Sequence, residues 1–163
     1  MNSELEAYFA TARTAPKIPP QSTEFQRREQ AEFPARFLNK VESVLKPILD
    51  STAETLQRNG YGATVEMVRE LTGSDPNAFP YVTLHFSPTR CPPSDLGYIY
   101  TLEGASVSFI CRRNVLSIEV VTAHPAGRGV ERRVNFCTLK LADLSAERVE
   151  RIITDSVKQI VRL

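Results

Sequence analysis

The 163-residue chain has no tryptophan, only two histidines, three cysteines and seven glycines. Each shortage excludes something. Two isolated histidines, His85 and His124, form neither an HxxxH nor an HExxH pattern, so the converging ligands of a zinc centre cannot be assembled. The cysteines, Cys91, Cys111 and Cys137, are odd in number and show no CxxC spacing. That argues against a disulfide framework and fits free thiols in a reducing compartment. The few glycines form neither GxxxxGK[ST] nor GxGxxG, so the phosphate-cradling loops are missing. GxSxG and SxxK are missing too, which removes the commonest serine-nucleophile signatures. No run reaches the roughly 18–20 apolar residues of a membrane helix. The first residues are acidic rather than basic, so no targeting segment is expected.

What is present is ordinary globular composition: 42% hydrophobic, 24% charged, net charge +1. A domain of this length needs neither metal nor disulfide to fold, and no cofactor is expected. The charge is uneven. Residues 61–111 hold 2 basic and 5 acidic side chains, and residues 112–163 hold 10 and 6. Fifteen of the 20 cations are arginine, whose planar fork suits carboxylates and phosphates.

Residues 1–22 read as an arm. Ser3 to Glu6 matches a capping box, and Leu5, Tyr8 and Phe9 follow at helical spacing. Pro16, Pro19 and Pro20 then stiffen a linker that carries Ile18. Residues 23–163 read as a single domain. Thr23 to Gln26 is a second capping box, and Pro34 suits the first turn of a fresh helix. Phe37, Leu38, Val41, Val44, Leu45, Ile48, Leu49 and Leu56 make one apolar face, with a kink expected at Pro47. Asn59-Gly60 is a helix stop.

Period-two alternation follows in six runs, around Val65, Val82–Phe86, Tyr98–Leu102, Val107–Cys111, Leu116–Val120 and Val134–Phe136. Glu103-Gly104 and Arg113-Asn114 read as hairpin turns. Ser145 caps a last helix with the stripe Val149, Ile152, Ile153, Val157, Ile160 and Val161. Leu144 and Val149 form its hydrophobic staple, and Glu147–Arg151 an i,i+4 pair. The expected fold class is α+β: N-terminal helices, a six-stranded antiparallel meander, and a C-terminal amphipathic helix packed on the sheet.

Candidate chemistry is sparse. Cys91 could be activated by His85 and Asp95, but its prolines and loop setting favour an ordinary cysteine. Tyr98 and Tyr100, with Phe109, could line a pocket, although a filled core layer is the commoner outcome. No catalytic residue and no metal ligand is assigned. Three readings follow. The first is a non-catalytic cytoplasmic interaction module, an adaptor or accessory subunit. It binds a protein partner or itself through Leu5, Tyr8, Phe9 and Ile18 of the arm. The second is a small-ligand binder or simple enzyme with a cavity between sheet and last helix. The third is an anion or nucleic-acid binder using Arg112, Arg113, Arg128, Arg132 and Arg133. The near-zero net charge and missing tryptophan disfavour nucleic acid, and strand geometry separates the two arginine groups by about 20–30 Å.

Overall fold

The computed structural model describes residues 6–7, 20–69, 80–90, 104–125 and 131–161. Glu6 and Ala7 are helical and exposed. The arm residues Leu5, Tyr8, Phe9 and Ile18 lie outside the described set, as do Cys91, the Tyr98–Leu102 run and Arg128.

A long helical run comes first: α1 (Pro20–Lys40), a π-helical turn (Val41–Leu45) and α2 (Lys46–Arg58). It replaces the two helices expected to start near Thr23 and Pro34. Thr23 lies inside α1, and so does Pro34. Proline removes only one internal hydrogen bond there, the one to the Gln30 carbonyl. The neighbouring Phe33 and Phe37 are buried in the core and hold the helix through it.

The π turn has a physical reason. Phe33, Phe37, Val41, Leu45, Leu49 and Ala53 are all buried and recur every fourth residue. In an α-helix each such step overshoots a full turn by about 40°, so the stripe would swing away from the sheet. The π turn takes in an extra residue and rotates the stripe back. Its signature is Lys46 N–H donating to the Val41 carbonyl, five residues away. The disturbance expected at Pro47 therefore lies just before it, and Pro47 occupies the first turn of α2, where a missing N–H costs little.

Asn59-Gly60 stops the helix as expected. Tyr61 N–H donates to the Leu56 carbonyl and Gly60 N–H to the Gln57 carbonyl. This is a Schellman end, with Gly60 at φ +87° and the apolar Tyr61 and Leu56 both buried.

Among the described residues five strands follow: β1 (Ala63–Val68), β2 (Tyr81–Phe86), β3 (Ala105–Arg112), β4 (Ser117–Pro125) and β5 (Glu131–Leu139). They form an antiparallel meander in sequence order. The six-strand expectation is corrected here. Residues 98–102 were to pair with β3 through Glu103-Gly104, but β2 and β4 occupy both edges of β3. The Arg113-Asn114 turn is present as a 3-10 turn (Arg113–Val115), closed by Leu116 in the left-handed region at φ +50°.

Alternation sends one set of side chains to the helices. Met67, Val82, Phe109, Val120 and Cys137 form a row across all five strands. They join the helix stripe in one apolar cluster. One β5 expectation fails. Val120 faces Cys137 and Val121 faces Asn135, so Phe136 is the extra residue of a bulge. Cys137 thereby turns to the helix side, where simple alternation would have placed it with Arg133 and Asn135.

The last helix, α3 (Ala146–Ile160), packs Val149, Ile152 and Ile153 into the same cluster. Ser145 Oγ accepts from Arg148 N–H at 3.3 Å, Leu144 and Val149 are both buried, and Arg151 pairs with Glu147 at 3.6 Å. Cap, staple and surface pair are all as expected.

Gly60→Ala should cost about 1–2 kcal/mol in chemical denaturation, the usual penalty for a side chain in the left-handed region. Among the described residues a Cβ would meet Arg90 Cγ and Cδ, at 3.8 and 3.9 Å, ordinary van der Waals distances, so the loss is conformational. Gly60→Asn should recover part of it.

Candidate interaction face

Helices cover one face of the sheet. On the other face Val121 and Ala123 are buried beside Thr83 and Ser108, and the polar side chains meet one another. The sequence missed this network, because its members are the polar positions between the apolar ones and come from different strands. Glu66 of β1 stands opposite Thr83, between Tyr81 and His85 of β2. Its carboxylate takes both: His85 Nε2 lies 2.8 Å from Oε2, and Tyr81 Oη donates to Oε1 at 3.4 Å. One row further in, the Thr83 and Ser108 hydroxyls share a hydrogen bond of 2.8 Å, both buried. On β4, Glu119 accepts from Arg112 Nε at 2.6 Å and from Asn135 Nδ2 at 3.3 Å. Such cross-strand pairs contribute about 0.2–1 kcal/mol each. They read first as the polar coat of a sheet.

The structure places the predicted site residues as follows. His85 is on the face away from the helices, as its phase in β2 implies. Its Nε2 lies against the Glu66 carboxylate. Arg112 lies opposite Ser117, and Arg133 lies opposite Ala123. Six residues of β4 separate those positions, about 20 Å. Both share the face away from the helices. Arg132 points to the other face, opposite His124, and Arg113 sits in the 3-10 turn. The arginines are therefore two groups, not one patch. Arg112 is engaged by Glu119. Arg132 and Arg133 form no ion pair with any described residue.

The remaining chemistry is quiet. Burial pushes the Cys111 thiol from its ordinary value near 9 to about 11, and Arg113 only partly offsets this. Burial also raises Cys137, with Arg148 opposing. Among the described residues no three His, Cys, Asp or Glu side chains gather as a metal site. No described helix is long and apolar enough to cross a membrane. Leu144, Val149 and Ile153 are buried in the apolar cluster where α3 meets the sheet. An open groove beside α3, lined by Ser145, Glu147, Arg148, Arg151, Ile152 and Asp155, has two of its arginines in ion pairs with Asp143 and Glu147.

Comparison with known proteins adds no relative: no family model matches the chain, and neither a curated protein nor a solved structure matches it.

Two titrations check this arrangement. Cys111 should resist thiol reagents at neutral pH in the native state and react on unfolding, because the buried neutral thiol is favoured. The sign follows: the unfolded chain releases this proton first, so the stability held by the neutral thiol is complete below about pH 9 and is lost towards pH 11. The Tyr81 phenol is held above its ordinary value by burial first, then by the Glu66 charge and hydrogen bond. Glu66→Gln should shift one tyrosine titration downward, read by tyrosinate absorbance. An unchanged curve would mean that Glu66 does not face Tyr81.

Proposed function

We propose that the chain is a non-catalytic interaction module of the cytoplasm, an adaptor or accessory subunit that binds a protein partner or a second copy of itself. The observation that carries this reading is the disposition of the sheet. One face is filled by helices, the other carries polar groups bound to each other, and among the described residues the outer edges of β1 and β5 have no further strand. Among the described residues β1 pairs only with β2, and β5 only with β4. Unpaired edges are where another chain can add a strand. Among the described residues His85 is taken up by Glu66, and the thiols of Cys111 and Cys137 sit in partly or fully buried positions with raised pKa values. The arm adds Leu5, Tyr8, Phe9 and Ile18 as apolar anchors for a groove on the partner.

The test is light scattering after size exclusion, on the full chain and on a form lacking residues 1–19, since α1 begins at Pro20. The full chain should exceed the 18.2 kDa of one copy or retain a specific cross-linked partner, and the shortened form should lose that association with unchanged circular dichroism. Monomers in both cases, with no specific cross-linked partner, would count against an interaction role.

A further inference from the structure

We infer that the outer edge of β5 is a docking strand for an extended acidic segment of a partner protein. The inference rests on the interaction reading above and names one surface and one partner chemistry for it.

Three observations converge on residues 131–135. The first is the backbone. β5 pairs with β4 alone among the described residues, and Glu131, Arg132, Arg133, Val134 and Asn135 are all exposed. Beyond them the bulge at Phe136 bends the strand, so the straight, bondable edge is this stretch. The second is charge. Arg112, the other arginine on a described strand, has Glu119 as its carboxylate. Arg132 and Arg133 have none among the described residues, and they project to opposite faces of the strand. The third is Val134. It is one of only three large apolar side chains left exposed among the described residues, at 38%, and it lies between the arginines and the bulge.

An added antiparallel strand fixes the order of contacts, because opposed residues share a face. A partner residue opposite Val134 would be apolar. The next would meet Arg133 on one face, the one after it Arg132 on the other, and a fourth would meet Glu131. The complementary segment therefore reads apolar, acidic, acidic, basic. A second copy of β5 fits less well. Its own arginines would be brought against those of the first strand, and like charges directly opposite are destabilising. Nucleic acid could use the arginines, but it has no main chain to complete the ladder and no use for Val134.

Fluorescence anisotropy with a labelled synthetic peptide carrying that four-residue order within a threonine-rich strand tests the proposal. Three controls accompany it: the same residues scrambled, the same peptide with alternate amides N-methylated, and a single-stranded oligonucleotide. The full chain should bind the ordered peptide and neither altered one, because N-methylation blocks the ladder. The double variant Arg132→Glu/Arg133→Glu should bind at least about tenfold more weakly. It should regain affinity for a peptide whose two acids are replaced by lysine, a rescue that a misfolded variant could not show. Binding that survives scrambling or N-methylation, or an oligonucleotide that displaces the peptide, would reduce the edge to a basic patch and overturn the proposal. No peptide binding by a chain that still associates in light scattering would overturn this surface while leaving the interaction role. Absence of both would remove the two together.

Discussion

The burial of one face of a five-stranded sheet under a single long helical run governs the rest of this structure. The helical stripe has a repeat of four, from Phe33 to Ala53, and an α-helix cannot keep such a stripe on one side for five turns. The π turn at Val41–Leu45 resolves the conflict, and everything downstream depends on it. It keeps Leu49, Ala53 and Leu56 on the core, delivers the chain to the Gly60 turn, and starts β1 beside α2. With the helix side committed to packing, the polar residues of β1, β2 and β3 take the opposite side.

That division explains why the polar network is made of self-satisfied groups. Glu66 serves two side chains of β2, and Glu119 serves β3 and β5. Each carboxylate gains partners from adjacent strands, so the network ties neighbouring strands of the meander together. On this face Glu66, His85, Thr83, Ser108 and Glu119 all have partners within the network. Among the described residues, Arg132 and Arg133 of the edge strand β5 have no carboxylate, and β5 pairs with β4 alone.

Much of the fold was legible from the residues. The α+β class, the Gly60 stop, the Ser145 cap with its staple, the phase of β2, β3 and β4, and the 20 Å gap between the arginine groups all follow from local pattern. These features depend on contacts within a few residues, or on a period that local sequence carries directly. The candidate site was far less legible. Glu66 sits between two apolar residues of a short strand and looks like any solvated acid. Only pairing with β2 brings it to His85 and Tyr81, 19 and 15 residues away.

Sequence alone determined which residues are apolar and with what period, and hence the helices, most of the strands and the side of each strand that is buried. Tertiary structure alone decided three further things. It decided that the helical block runs through Pro34, because the flanking phenylalanines are held by the sheet. It decided that β3 lies between β2 and β4, because an antiparallel strand has only two edges and both are taken. It decided that Phe136 is a bulge, because only the register against β4 shows two residues facing one. In each case the deciding contact joins segments far apart in the chain, and a local pattern of residues carries no record of it.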